Sequence, residues 1–174
     1  MLINGQKLEE LAKEVFVDSP PAKVGSSSVD VRLGGRFLVG NHNSLIRQSN
    51  GKVEYRGLEE LNIKEGEEIV FLPGRLYIAH SIEYVRLPKD VGAFLLLRST
   101  TGRRGLDHLH AGWLEPGWEG QITFELAPVV KTAFIVGEPI AQLVFIRAEG
   151  ESQYVGQYQG QVGPTAAKMV GAYS

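Results

Sequence analysis

The sequence contains no cysteine. Disulfides, thiol nucleophiles and thiolate metal ligands are therefore all excluded. It also lacks a charge imbalance: 18 basic and 20 acidic side chains leave a formal net charge of -2. That balance gives no global attraction to nucleic acid, and a polyanionic ligand would have to be held by a local basic cluster. No apolar run approaches the ~20 residues that a membrane span needs. The start, "MLINGQKLEELAKEVF", is amphipathic and acidic rather than basic and then apolar, so it does not read as a secretory signal. A soluble, cytoplasmic protein is expected, with neither nucleic acid nor membrane as a partner. There is no internal repeat and no composition break, so residues 1–174 are expected to form one domain.

Helical periodicity is nearly as scarce. Leu8, Leu11, Ala12 and Val15 recur at helical spacing and predict one amphipathic helix over 5–16. After "DSPPAKVGSSS" the texture changes to short β-branched or aromatic runs separated by Gly, Pro, Asn and Asp. They include "VDVRL", "RFLVG", "EEIVFL", "LYIAHSIEYVRL", "GAFLLL", "GQITFEL" and "IAQLVFI". With 21 glycines, this pattern predicts an all-β sandwich or barrel carrying a short N-terminal helix. Residues 1–25 form the helix and its lead-in. Residues 150–174 are rich in Gly and Gln and read as a loose terminus or a segment closing over a site.

Four stretches are unusual for a plain β domain. In "LRSTTGRRGLD" three arginines, three hydroxyls and two glycines follow directly on a strand. Arginine forks and hydroxyls suit phosphate oxygens, and glycine lets the backbone approach; a charged surface turn has the same composition. In "EPGWEGQITFEL", alternation puts Glu125 on one strand face with Gln121 and Thr123, opposite Ile122, Phe124 and Leu126. A carboxylate on a wet face needs no function. It becomes a proton carrier only if that face is covered. In "SSSVDVRLG" the alternation reads as a structural ion-pair face bearing Asp30 and Arg32. His108 and His110 in "DHLHAGW" could share a strand face and bind a metal, but without a clear third ligand they read as polar strand residues. The zinc-deaminase signature needs cysteines.

Taken together, "SSSVDVRLG", "RSTTGRRGL", "AGWLEPGWEGQITFEL" and "YVGQYQGQVGPT" resemble the motifs of the dCTP deaminase branch of the dUTPase-like superfamily. They occur in the family's order over residues 26–165, about four fifths of the chain. The resemblance implies a distorted jelly-roll barrel that assembles as a homotrimer, with sites between subunits and a C-terminal segment that closes over the nucleotide. It implies a Mg²⁺ ion carried by the triphosphate, no zinc and no metal held by the protein alone. The implied reaction is hydrolytic deamination of dCTP to dUTP and ammonia, supplying dUTP or dUMP for pyrimidine deoxynucleotide synthesis. Glu125 matches the glutamate that activates water for attack at cytosine C4.

The other roles carry over by position. Ser99 matches the serine beside the reacting water, and Arg103 the arginine that holds the water and the glutamate. Arg98 and Thr100 match phosphate contacts, the Ala111 backbone orients the water, and Tyr154 and Gln161 belong to the closing segment. Asp30 and Arg32 match an architectural motif.

Three departures accompany the match. Glu115 stands where an aspartate is usual, in an acid that bifunctional relatives use in cleaving dUTP; the extra methylene weighs against release of dUMP and pyrophosphate, the alternative activity. Gln157 replaces a lysine of the closing segment, and Lys168 is placed to compensate. Leu96 and Leu97 precede Arg98 where relatives often have an acidic residue or glycine. A dUTPase, a dCTPase and a non-enzymatic nucleotide-sensing trimer are the further alternatives.

Overall fold

The computed structural model describes residues 1–49 and 52–168. Helix α1 (Gly5–Val15) matches the predicted helix, and its buried residues are Leu8, Leu11, Ala12 and Val15, the four that set the periodicity. Burying each Leu or Val stabilises the fold by roughly 1.5–3 kcal/mol.

The strands that follow are β1 (Lys23–Val24), β2 (Val29–Arg32), β3 (Arg36–Gly40), β4 (Leu45–Ser49), β5 (Lys52–Arg56), β6 (Glu59–Asn62), β7 (Glu68–Phe71), β8 (Leu76–Arg86) and β9 (Val91–Leu97). A short helix, α2 (Ser99–Arg103), interrupts them before β10 (Leu106–His108), β11 (Trp113–Leu114), β12 (Glu119–Pro128), β13 (Thr132–Ile135) and β14 (Pro139–Arg147). The fold is thus mostly β, as the run pattern predicted.

One five-stranded sheet has the order β1-β2-β14-β9-β11 and the other β10-β12-β8-β3-β6, with two further two-stranded ribbons, β13-β7 and β4-β5. The named strand pairs are antiparallel. The inner faces meet in one core around Phe37, Phe71, Phe124, Phe134 and Phe145. Phe71 packs edge-on to Tyr77, Phe37 and Phe134, with centroids 4.7, 6.2 and 5.7 Å away, the arrangement that aromatic quadrupoles favour. No helix among the described residues is long and apolar enough to cross a membrane.

The stretch after β9, for which composition left a charged surface turn or a phosphate site open, is a short helix. Its Thr and Gly residues are poor helix formers, but Thr101 is buried and its hydroxyl donates to the Ile140 carbonyl at 2.7 Å. Tertiary anchoring outweighs propensity here. Asp30 and Arg32 do take part in ion pairs, each with a partner from another element. Asp30 lies 3.2 Å from Arg98 Nε, whereas Arg32 binds the fully buried Glu83, donating from Nε at 2.7 Å and from its backbone N–H at 2.9 Å. Each charge is matched by a residue distant in sequence, which local alternation does not reveal.

Residues 150–168 lie along β12. Gly160 N–H donates to the Glu119 carbonyl (2.9 Å), Gln121 N–H to the Gln161 carbonyl (2.8 Å) and Gly163 N–H to Gln121 Oε1 (2.7 Å). Gly120, at φ 151°, permits this approach: a Cβ there would stand 3.0 Å from the Gln161 carbonyl oxygen.

Candidate active site

Strand β12 alternates strictly, with Ile122, Phe124 and Leu126 buried and Gln121, Thr123 and Glu125 half-buried on the other face. That second face is covered. Thr123 and Glu125 line a cavity of about 420 Å³ whose other walls come from β8, β9, β11, the β4–β5 ribbon and the C-terminal segment. The cavity is mainly apolar, with five aromatic side chains: Tyr55, Trp113, Trp118, Tyr154 and Tyr158. Burial, and to a lesser degree the neighbouring Tyr158, pushes the Tyr55 phenol above its ordinary range, so it stays a neutral donor. It donates to the Ala167 carbonyl and ties the ribbon to the tail.

The polar groups of the cavity are few and convergent, as ligand pockets require. Gln161 donates from Nε2 both to the Gln121 carbonyl at 2.8 Å and to Thr123 Oγ1 at 3.1 Å. Both amide hydrogens are thereby engaged, which leaves its Oε1 as an acceptor and the Thr123 hydroxyl hydrogen as a donor. Glu125 stands one alternate position further along the strand, 28% of its side chain exposed. Its Oε2 lies 3.1 Å from Nε2 of His108, which is 4% exposed; the approach is not aligned as a hydrogen bond, and neither atom has another partner. His108 is a strand residue, as its spacing implied, but a buried one. It is buried on the edge strand, paired in register with Leu126. His110 lies beyond the end of β10 and is exposed.

Five of the predicted site residues come together: Ala111, Glu115, Glu125, Tyr154 and Gln161 all line the cavity. Arg98, Ser99, Thr100 and Arg103 do not. Ser99, Thr100 and Arg103 are exposed on or beside α2, and Arg98 is held by Asp30 and by the Pro139 carbonyl, to which Nη1 donates at 3.0 Å. Gln157 and Lys168 meet just outside: Lys168 Nζ donates to the Gln157 carbonyl at 2.7 Å and sits 5.4 Å from the centre of the Tyr158 ring. Leu96 and Leu97 are not in the cavity wall, which takes Leu95 instead. Sequence reasoning missed Thr123, Trp118, Tyr158 and Tyr55. Thr123 was within reach, because alternation puts it beside Glu125.

A mostly β scaffold with an aromatic cavity, a half-buried carboxylate and a strand-docked C-terminal segment makes this cavity the candidate ligand site. The chain belongs to the dCTP deaminase-like family, whose model matches residues 2–148. It is 35% identical over 176 residues to a "dCTP deaminase, dUMP-forming" of Persephonella marina, covering 97% of each chain. It is 36% identical over 169 residues to a "dCTP deaminase" of Haloarcula marismortui, covering 89% of this chain and 85% of that one. Among solved structures, the 2'-deoxycytidine 5'-triphosphate deaminase of Agrobacterium tumefaciens has the same fold, with TM-score 0.68 and 17% identity. It matches 86% of this chain, which spans 49% of that longer one.

Proposed function

We propose that this protein is an enzyme that deaminates dCTP by hydrolysis, with Glu125 as the proton carrier. The observation that carries the reading is the position of Glu125: a carboxylate partly shielded from water, opening into a cavity wide enough for a pyrimidine nucleoside and lined by stacking aromatic surfaces. In the reaction, water oxygen bonds to C4 of the cytosine ring while Glu125 takes its proton. The proton passes to ring N3, a tetrahedral carbon forms, and the C4–N4 bond breaks as the amine leaves as ammonia, taking a proton from the hydroxyl oxygen through the same carboxylate. One carboxylate serves every transfer in turn. The Thr123 hydroxyl and Gln161 Oε1 offer a donor and an acceptor to the ring edge, and Ala111 is part of the same cavity wall.

The reading includes a second copy of the chain. Ser99, Thr100 and Arg103 are exposed and outside the cavity wall of their own chain. In a homotrimer a neighbouring subunit would supply them: Ser99 and Arg103 beside the water, and Arg98 and Thr100 toward phosphate. In this scheme a Mg²⁺ ion would be carried by the triphosphate oxygens. Its contribution when bound is to offset phosphate charge.

A second reading is favoured by two observations: several relatives are named dUMP-forming, and Glu115 lines the same cavity as Glu125. Under it the product dUTP is cleaved in place to dUMP and pyrophosphate. The test is incubation of wild type and Glu125→Ala with dCTP, dUTP and dCMP plus Mg²⁺, assaying ammonia and pyrophosphate. Ammonia from dCTP with wild type and almost none with the variant is expected. Undiminished ammonia from Glu125→Ala removes the proposed mechanism, and pyrophosphate alongside ammonia selects the second reading.

A further inference from the structure

The cavity extends past Glu125 into a region that the deamination chemistry leaves unused. On the cavity face the order along β12 is Thr123, then Glu125, and β8 sets His80 and Ile78 opposite them in register. Leu76 stands two residues from Ile78 on the same face, and the β4–β5 ribbon adds Ile46 and Tyr55. Ile78 is 6% exposed, whereas Ile46, at 43%, stands at the rim.

The hydroxyls at this end are already engaged. Tyr55 donates to the Ala167 carbonyl, Thr165 Oγ1 donates to the Gly163 carbonyl at 3.3 Å, and the Tyr158 hydroxyl accepts from the Lys168 N–H at 3.2 Å. Ile46, Leu76 and Ile78 bring no polar side-chain atom. A charged or hydrogen-bonding group placed here would lose water and find no partner. An apolar group would gain by leaving water.

The direction of this region from a cytosine ring follows from the chemistry. Under the proposed function C4 faces Glu125, and the edge that can hydrogen-bond, N4–N3–O2, faces the Thr123 hydroxyl and Gln161 Oε1. C5 is bonded to C4 on the side away from N3. A substituent at C5 therefore points away from Thr123 and past Glu125, toward Ile78, Leu76 and the ribbon. N1, which carries the sugar, is across the ring from C4, so the sugar and phosphates leave in another direction.

We propose that this region is a subsite for an apolar substituent at C5, so that the substrates include 5-alkylcytosine deoxynucleoside triphosphates, of which 5-methyl-dCTP is the smallest. The inference rests on the deamination reading and names the substrate class of the same site. The balance of the reaction is unchanged. Water adds its oxygen at C4, the C4–N4 bond breaks and ammonia leaves, while C5 and its substituent are untouched. From 5-methyl-dCTP the product is dTTP.

The test compares kcat/KM for ammonia release from dCTP, 5-methyl-dCTP and 5-hydroxymethyl-dCTP. Burial of one carbon is worth about fourfold, so 5-methyl-dCTP is expected to match dCTP or exceed it by up to about fourfold. 5-Hydroxymethyl-dCTP is expected about tenfold below 5-methyl-dCTP, because its hydroxyl meets no partner. Ile46→Phe, which narrows the region from the ribbon side, should lower the ratio of 5-methyl-dCTP to dCTP about tenfold. The ratio compares two substrates on one protein, so a partial loss of folding does not mimic the effect. A wild type that uses 5-methyl-dCTP less well than dCTP, equal use of the two 5-substituted nucleotides, or an unchanged ratio in Ile46→Phe overturns the proposal; if Ile46→Phe does not fold, the wild-type comparison decides. If no nucleotide releases ammonia, the deamination reading fails instead. Fluorescence of Trp113 and Trp118, which line the cavity, then decides the subsite: tighter binding of 5-methyl-dCTP than of dCTP supports it, and equal or weaker binding overturns it.

Discussion

The ammonium group of Lys168 donates to the backbone carbonyl of Gln157 at 2.7 Å, so the two tail positions that depart from the family pattern touch each other. Under the proposed function, the positive charge missing at 157 would be supplied from 168, eleven residues on. Lys168→Ala is expected to raise KM for dCTP about tenfold, since one hydrogen bond to a charged group contributes roughly 1.5 kcal/mol or more. Adding Gln157→Lys to that variant should restore it. Steady-state kinetics at fixed Mg²⁺ and ionic strength checks both, and an unchanged KM in Lys168→Ala removes the phosphate role.

Glu115, just after β11, and Glu125, within β12, line one cavity. If dUMP is the product, Glu115→Ala should abolish pyrophosphate release from dUTP while ammonia release from dCTP stays within about tenfold of wild type, because only one step uses the second acid. Parallel assays of the two products separate the outcomes. Equal losses in both would make Glu115 a binding residue for the sugar or the base.

His80 provides a pH handle on stability. Burial lowers its pKa below the ordinary histidine range, with Arg36 adding to the effect and the Nδ1–H bond to the Ser81 carbonyl (2.8 Å) opposing it. The folded protein therefore binds this proton less readily than the unfolded chain does. As pH falls through the unfolded value of about 6.5, the unfolded state takes up the proton first and stability declines. Urea midpoints at pH 7.5 and 5.5 should differ more for wild type than for His80→Asn. The same difference in both proteins would show that other groups dominate.

Gly34 packs its backbone against that same ring: a Cβ there would lie 2.3 Å from His80 Cε1. The ring is buried and hydrogen-bonded and has nowhere to move, so Gly34→Ala is expected to destabilise by about 1–3 kcal/mol. Thermal unfolding measures this. An unchanged melting temperature would mean that the ring has a second accommodating position.

What the sequence made legible follows from which forces act locally. The period of two in "GQITFEL" is the pleat itself, so Glu125 fell on the correct face beside Thr123. The helix over 5–16 was legible because its buried stripe repeats every third and fourth residue. The β4–β5 ribbon was not picked out, because Leu45, Ile46 and Arg47 are exposed and Val53, Glu54 and Tyr55 only half-buried; the Asn50-Gly51 pair in the sequence between them was the available hairpin signal, although those two residues lie outside the described ones. Helix α2 ran against its own propensities and depends on Ile140, far along the chain. The burial of His108 could not be read at all. It is created by the register of β10 on β12, and nothing within "DHLHAGW" distinguishes a buried ring from an exposed one. Alignment to family motifs identified Ala111, Glu115, Glu125, Tyr154 and Gln161 in the cavity wall, but not which of the matched residues would be left facing outward on α2.

The docking of residues 150–168 along β12 also sets an order of events during synthesis. That segment is translated after every strand of both sheets. The sheets pair from chain already made, and the aromatic wall formed by Tyr154 and Tyr158 arrives last, onto a strand whose outer face is complete. A chain without residues 150–168 would thus carry the carboxylate of Glu125 in a chamber left open on the side that Tyr154, Tyr158 and Gln161 cover.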